Sequence, residues 1–404
     1  MSTSLLYHAF GLHGYHYVHQ SFEGGRVTFR IDRPRKYLRC SHCRSDNVWL
    51  QGGVERTFRT LPIGGKPVVL EFKVPRLLCF ECGQTRQIKL GFADPKKHYT
   101  RAFERYALEL SQHMTIQDVA QHLQVGWDTI KDIQARSLQR RFGKPKLRNL
   151  KEIAIDEISI GKGHRYLTVV LDLVSGAIVF VGDGKGADAL KPFWGRLRRA
   201  RAKIKAVATD LSAAYTRAVR DNLPGAVHVF DHFHVIKLFN EKLSAFRRTL
   251  YHQLSSDQDR KILKGTRWLL LKNPENLDPE HKEVERLEEA LRLNAPLAIA
   301  YYLKEDLRQI WQQPNKRTAR RLLRDWIARA RASKISMLEK FATTLEDHQE
   351  GILNYYHYPI STGPLEGTNN KIQTMKRQAY GFRDKEFLKL KILGIHESKY
   401  ALVG

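Results

Sequence analysis

All four cysteines of the 404-residue chain fall in two C-x2-C pairs, Cys40-Ser-His-Cys43 and Cys79-Phe-Glu-Cys82, with 35 residues between them. Each pair brings two thiolates within reach of one ion, and two such knuckles supply the four ligands of tetrahedral zinc. Disulfides are the competing use of these residues, whereas a redox C-x-x-C needs no second copy. The start of the chain, MSTSLLYHAFGLHGYHYV, lacks a basic stretch followed by a clean apolar one. A reducing, intracellular setting is therefore expected, in which thiolates meet a metal rather than one another. The spacing predicts a structural Zn2+ on Cys40, Cys43, Cys79 and Cys82. His42 is a spare donor, expected to pack or to meet a phosphate. Between the knuckles, RTFRTLPIGGKPVVLEFKVPRLLC alternates apolar and polar residues around a Gly-Gly turn, which predicts a β-hairpin. Residues 1–98 are assigned to this β-rich zinc-binding domain.

The chain carries 69 Lys and Arg against 42 Asp and Glu, a net charge of +27. Such a field favours a polyanion and makes association salt-sensitive. Residues 1–150 hold 25 basic and 12 acidic residues, so the excess is not a tail on a neutral enzyme. Several domains are expected to touch the partner. No apolar run reaches the ~18 residues of a membrane span, which places the protein in the cytoplasm with no membrane partner.

Period changes after residue 98. RAFERYALELSQHM reads as an amphipathic helix, and TIQDVAQHLQVGWDTIKDIQARSL as two short helices around Val125-Gly126. Thr115 can cap the first with Asp118 three positions on. The second begins near Trp127 and carries Lys131. This is a helix-turn-helix pattern, whose second helix can enter the major groove, although ordinary helical hairpins share it. The basic linker RRFGKPKLRN closes the unit, assigned to residues 99–150.

From residue 151 three strands are expected in KEIAIDEISI, RYLTVVLDLVSG and AIVFVGDG. A helix, a strand (IKAVATD), a helix, a strand (AVHVFD) and the helix HFHVIKLFNEKL follow. Three strands followed by alternation is the order of a ribonuclease-H-like core, its first part assigned to residues 151–235. Asp156 lies in the first strand and Asp210 ends the fourth, which neighbours the first in that fold. Two carboxylates so placed can hold two Mg2+ (or Mn2+) ions about 4 Å apart. Glu157 points to the opposite face. Asp172 and Asp183 read as turn formers. Asp231 is the rival second ligand; Asp210 is preferred because of its strand, and Asp231 is expected to orient His234, one helical turn on. His234 either touches the scissile phosphate or is a packed histidine.

The blocks TVVLDLVSGAIVFVGDGKG, VATDLSAAYTRA, VFDHFHVIKLFN and STGPLEGTNNKIQTMKRQAYGFRD resemble the ISL3 group of bacterial insertion-sequence transposases. That group also arranges a paired-knuckle zinc domain and a helix-turn-helix ahead of its core. The resemblance implies a DDE transposase with its triad on Asp156, Asp210 and Glu366. It also implies a C/D-x-x-H motif, here Asp231 to His234. It further implies double-stranded DNA as partner (terminal inverted repeats and target), a homodimer on that DNA and a nucleoid-associated location. Read from the residues, Ser361 or Thr362 can cap and Pro364 can open a helix carrying Glu366 and Asn370 on one face. Asn369, Asn370 and Lys371 could contact phosphates. The basic stretch beyond, with Lys376, Arg377 and Arg383 and interleaved aromatics, suits a strand backbone and a stacked base.

Between these parts, residues 236–351 have helical periodicity and little strand signal, an all-α insertion that leaves residues 352–404 to complete the core with helices. Residues 315–334 hold eight basic residues and one acid. Trp268 is either core or a stacking surface for a base. A catalytically silent zinc and helix-turn-helix regulator, or a ribonuclease-H-like nuclease, are the competing functions.

Overall fold

The computed structural model describes residues 4–161 and 163–400. Contacts divide the chain into two compact units, Met1–Arg140 and Arg141–Gly404. No helix among the described residues is long and apolar enough to cross a membrane.

In the first unit, a short helix α1 (Leu5–Phe10) precedes strands β1 (His16–Glu23) and β2 (Arg26–Asp32). The long hairpin β3 (Val48–Ile63) and β4 (Lys66–Cys79) and the short β5 (Thr85–Gln87) complete a five-stranded sheet. The hairpin turns at Gly64 and Gly65, with φ of 56° and 78°. Two successive left-handed residues suit a tight turn whose twist matches the strands, and glycine accepts them without steric cost. Alternate residues of β4 (Val68, Leu70, Phe72, Val74) are buried and meet Phe10, Phe29 and Phe58 in one core.

Three helices follow, α2 (Arg101–Leu110), α3 (Ile116–Leu123) and α4 (Trp127–Phe142). Thr115 caps α3 in a reciprocal box with Asp118, and Gln124 ends it in the left-handed region. Val119, Leu123, Ile130 and Ile133 form the helix-turn-helix core with Phe103. Arg59 of β3 donates to the Leu123 carbonyl at 2.8 Å, and the buried Thr60 and Thr100 hydroxyls pair at 3.1 Å. Glu104, 5% exposed, takes Arg136 and Arg140, each at 2.8 Å. The zinc-ribbon sheet and the helices are thus packed as one unit.

The second unit is built on strands β6 (Glu152–Gly161), β7 (Arg165–Asp172) and β8 (Ile178–Asp183). Helix α5 (Lys191–Ala200), β9 (Ala206–Thr209), α6 (Ala213–Asn222) and β10 (Val227–Phe230) follow. The sheet order is β10-β9-β6-β7-β8, with β6, β9 and β10 parallel. This is the ribonuclease-H-like arrangement expected from the element order. One face, with Ile153, Ile155, Val170 and Val207, packs on residues of α5 and α6. The other, with Ala154, Ile158, Val169 and Ala208, packs on α14 (Gly363–Gln378) and α15 (Lys385–Leu393) through Leu365, Ile372, Leu388 and Ile392.

Between β10 and α14 lie α7 (His232–Gln253), α8 (Asp257–Gly265), α9 (Glu283–Leu293), α10 (Ala295–Gln309), α11 (Lys316–Ala332), α12 (Ser336–Asp347) and α13 (Gln349–Leu353). A last short helix, α16, spans Glu397–Tyr400. The insertion has its own core around Phe239, Trp326 and Phe341. A buried Lys304 inside it donates to the carbonyls of Leu270 and Lys272 at 2.8 and 2.9 Å, which compensates the desolvation of its charge.

Where the chain returns to the sheet, it fits against β10 closely. A Cβ on Gly351 would stand 2.4 Å from the Phe230 ring, and Asn354 donates to the His228 carbonyl at 3.0 Å. Gly351→Ala is therefore expected to cost about 1–3 kcal/mol, the usual range for overpacking a core. Chemical denaturation of the full chain measures it; an unchanged midpoint would show that the Phe230 ring gives way.

Candidate functional site

The two knuckles are the same turn built twice. Cys40 and Cys79 accept at their carbonyls from Arg44 and Gly83, and their own amides donate to Ser45 and Gln84 carbonyls. Arg44 and Gly83 both take positive φ, 67° and 66°. The four Sγ atoms lie within 4.8 Å of one another, with Cys40–Cys82 at 3.6 Å and Cys43–Cys79 at 3.5 Å. A tetrahedron with ~2.3 Å metal–sulfur bonds has edges of ~3.8 Å, so the cluster fits Zn2+ in size and donor type. The amides of Cys43 and His42 hold the Cys40 thiol down to about 6, while at Cys43 the Ser45 amide is outweighed by burial and the neighbouring sulfurs, which push the thiol up to about 12. His42 is exposed and lies outside the sulfur cluster.

In the second unit, strand register does the assembling. Ala154 pairs with Ala208 on β6 and β9, and Thr209 with Phe230 on β9 and β10. Asp156 lies on β6 two residues past Ala154, and Asp210 directly follows β9, two residues past Ala208. The Asp231 amide continues the β9–β10 pairing to the Thr209 carbonyl at 3.0 Å. Neighbouring strands are ~4.8 Å apart, so Asp210 and Asp231, at the ends of β9 and β10, come near Asp156 in the middle of β6. Alternation puts Asp156 on the face of Ala154 and Ile158, toward α14. Glu157 faces the other way, where its Oε1 accepts from the Tyr215 hydroxyl at 2.8 Å and the Gly186 amide at 3.2 Å.

Helix α14 presents one row of polar side chains to β6. The Asn369 amide donates to Asp156 Oδ2 at 2.9 Å, while Gln373 and Lys376 donate to the Ser159 carbonyl at 2.8 and 3.1 Å. Glu366 lies three residues before Asn369, one turn along the same row, and is exposed. Among the described residues the cysteines form the metal-ligand cluster; Asp156, Asp210 and Glu366 do not draw together that tightly. Asn370 is exposed, while Asn369, expected to reach DNA, has its amide on Asp156.

Charge in the site is uneven. Burial pushes the Asp156 carboxyl above its ordinary range, the Glu157 amide and the His234 charge oppose this, and the Asp210 charge adds to the rise. Asp210 Oδ1 accepts the Ser212 amide at 3.0 Å. The Asp231 side chain is fully buried. Its Oδ2 accepts from Thr362 Oγ1 at 2.5 Å and from His234 Nδ1 at 3.0 Å, and its Oδ1 caps α7 through the Phe233 amide. Burial raises the Asp231 carboxyl, but the bonds from His234 and Thr362 outweigh it and leave it below its ordinary value. Burial lowers His234, and the bond to Asp231 with the charges of Asp156 and Asp210 outweighs it, so the imidazolium is favoured.

Two expectations are corrected. Thr362 stands at the N-cap of α14 but makes no side-chain cap bond, because its hydroxyl goes to Asp231. Asp183 is an anchor for α15 rather than a turn former, paired with Lys385 and Lys389 at 2.5 Å each. Asp172 does form its turn, accepting from Val174 and Ser175. Sequence reading also missed the Asn369 and Lys376 contacts to β6. Their polar spacing on α14 was visible, but their partners lie more than 200 positions away.

The remaining candidates are spread more widely. Trp127, 44% exposed, opens α4 with the Lys131 ammonium 5.4 Å over its ring. Lys371, Arg377 and Arg383 are exposed. Trp268 is 65% exposed beneath the Arg267 guanidinium, a surface residue rather than a core one.

Between β9 and β10, Thr209 Oγ1 donates to the Asp210 carbonyl at 2.7 Å and so accepts from His228 Nε2 at 2.7 Å, which assigns that proton. Burial, with the His348 charge, holds His228 down to about 4. An unfolded imidazole titrates near ~6.5. Between those values the unfolded chain binds a proton that the folded chain refuses, so stability present above pH ~6.5 is lost on acidification, by up to about 3 kcal/mol. Denaturant midpoints at pH 7 and pH 4.5 check this: His228→Gln should shrink the difference, and an equal difference in both proteins rules the residue out.

A family model described as transposase matches residues 153–392. The chain belongs to the ISL3 family of transposases. The helix-turn-helix domain of that family matches residues 88–137, and the zinc finger of transposases of IS204, IS1001, IS1096 and IS1165 matches residues 36–82. The transposase for insertion sequence element IS1001 of Bordetella parapertussis is 34% identical over 372 residues, covering 91% of each chain. The transposase for insertion sequence element IS1557 of Mycobacterium tuberculosis is 29% identical, over 91% of this chain and 87% of that one. A Drosophila P element transposase strand transfer complex aligns over 74% of this chain and 92% of that one. Its TM-score is 0.37 at 10% identity, a likeness too loose to bear on fold or mechanism. In this transposase, then, the acids at the strand ends lie inside the matched catalytic region, and the four cysteines inside the matched zinc finger.

Proposed function

We propose that this ISL3 transposase binds the terminal inverted repeats of an insertion sequence and performs metal-dependent strand cleavage and strand transfer. The observation that carries this reading is Asp156 on β6, with Asp210 just past the neighbouring parallel β9, beside the helix that bears Glu366. Asp156, Asp210 and Glu366 would hold two Mg2+ (or Mn2+) ions. The donor set is all oxygen, which suits those hard cations, and burial, with a smaller push from the Asp210 charge, raises the Asp156 carboxyl, a cost that a cation would relieve. When bound, the ions supply activation of the attacking hydroxyl and charge stabilisation on the leaving oxygen.

The chain's own residues do the rest. Asn369 fixes the orientation of Asp156, and Asp231 holds His234 in place to meet a phosphate at the site. Lys371, Arg377 and Arg383 would track the strand backbone, with Asn370 and Lys376 near the helix that carries the third acid; Trp268 offers a stacking surface. Zn2+ on the four cysteines shapes the first unit, and Trp127 and Lys131 at the start of α4 would meet DNA there. Joining two ends takes two active sites, so a homodimer on DNA follows, working at the nucleoid. Residues 1–98, 99–150, 151–235, 236–351 and 352–404 would then be the functional segments.

Full-length, zinc-loaded protein incubated with Mg2+ and a duplex carrying the element's end tests the proposal. Nicking at the junction of element and flank, absent from a scrambled end, is expected. Tight end binding with no nicking would instead make the protein a silent regulator, and nicking that ignores the end sequence a general nuclease.

A further inference from the structure

A threonine at a helix N-cap ordinarily turns its oxygen to the amide two or three residues on. Thr362 does not. It is 1% exposed, its Oγ1 lies 2.5 Å from Asp231 Oδ2, and it stands 3.2 Å from His234 Nδ1. A hydroxyl has one proton, and here it points to the carboxylate. Capping passes to other groups: Ser361 Oγ accepts the Gly363 amide at 3.2 Å, and Pro364 has no amide to satisfy. The Thr362 carbonyl takes the amides of Leu365 and Glu366 at 2.8 and 3.0 Å.

These bonds make one short path. Asp231 directly follows β10, and its amide bonds the Thr209 carbonyl beside Asp210, the residue that follows the neighbouring β9. From Asp231 the path runs through the Thr362 hydroxyl to its carbonyl, and from there to the amide of Glu366. Leu365 and Ile372 seat the body of α14 on the sheet. Asn369, Gln373 and Lys376 tie the later turns to β6, and the Thr362–Asp231 bond is the directional contact at the start of the helix. The Thr362–Asp231 bond joins residues 131 positions apart, at the point where the helical insertion leaves the sheet and the chain comes back to it.

We infer that Thr362 is a positioning residue that carries the register of the strand ends to Glu366. This rests on the reading of Glu366 as the third metal-holding acid. The design is economical in one respect: the same Asp231 oxygen that orients His234 also sets α14, so both groups move together.

Thr362→Val keeps shape and removes the proton; Thr362→Ser keeps the proton. Both are compared with the wild type as full, zinc-loaded chains on a cognate end, with Asp156→Ala as control. Thr362→Val should cleave about 100-fold more slowly at saturating DNA, the usual loss for a misplacement of ~1 Å. It should also need about tenfold more Mg2+ for half-maximal cleavage, as outer-sphere changes do to metal sites, with end affinity unchanged. Thr362→Ser should recover the wild-type Mg2+ midpoint. A merely structural role lowers the folded fraction and leaves that midpoint where it was, which would overturn the inference. So would wild-type cleavage by Thr362→Val, or equal damage by Val and Ser. If Thr362→Val does not fold, Thr362→Ala, which adds no methyl against the carboxylate, is judged by the same Mg2+ midpoint. Full activity of Asp156→Ala sinks the site reading itself; an inactive control beside an active Thr362→Val sinks this inference alone.

Discussion

Asp156→Ala or Asp210→Ala should lower strand cleavage by a factor on the order of a thousand or more, about 4 kcal/mol of barrier, while leaving end binding within a few-fold. Asp156 lies on β6 and Asp210 just past the neighbouring parallel β9, so each removal opens the same site from a different strand. Glu157 supplies the contrast. It adjoins Asp156 in sequence but accepts from Tyr215 and Gly186 on the opposite face. Glu157→Gln keeps an acceptor there and should cleave nearly as well as the wild type. Single-turnover cleavage of a labelled end, with affinity measured in parallel, separates the outcomes. Equal losses at Asp156 and Glu157 would mean that the sheet, not a metal site, had been disturbed.

Removing the zinc is expected to have the other large effect. Cys79 is fully buried at the end of β4, and all four sulfurs point into one cluster. Without the ion, four thiols would face one another, and the knuckles would keep the β3–β4 ladder and the Phe80 amide bond to the Asn47 carbonyl but lose the bonds that close their tips. Structural zinc contributes on the order of 10 kcal/mol in small zinc domains, more than such a ribbon gains from its own core. Cys79→Ser, or exhaustive chelation, should melt the knuckles and weaken end binding by at least about a hundredfold, as far as that ribbon shapes the helix-turn-helix beside it. Circular dichroism and end affinity, before and after zinc is returned, measure this. Unchanged affinity in zinc-free protein would leave the helix-turn-helix as the sole reader of the ends.

What was legible in the sequence was legible because it is local. The C-x2-C spacing dictates a knuckle whatever surrounds it, and both knuckles close with the same backbone bonds. Strand alternation alone separates Asp156 from Glu157, and strand order alone makes β9 the neighbour of β6. The capping box of Thr115 with Asp118 formed where a three-residue spacing put it. The failures share the opposite property. Thr362 follows a local capping rule until a buried carboxylate 131 residues away competes for its proton. Asn369, expected near DNA, also places its amide on Asp156, a contact that local spacing does not show. Asp183 looks like a turn residue until α15 brings two lysines to it. In each case a charge-assisted partner from a distant segment outbids the local choice, and no spacing rule encodes such a partner.

Glu366 stands between these classes. Its place on the row of Asn369 and Gln373 is local helix geometry, whereas its approach to the strand ends depends on Thr362 and the return of the chain from the insertion. The central claim is that Asp156, Asp210 and Glu366 together hold two divalent ions. Counting Mn2+ by electron paramagnetic resonance, on zinc-loaded full-length protein bound to a cognate end, tests it most directly. The account predicts about two Mn2+ per chain in the wild type and the loss of at least one in Asp156→Ala, Asp210→Ala and Glu366→Ala alike. Wild-type Mn2+ occupancy in Glu366→Ala, with the other two depleted, would contradict it.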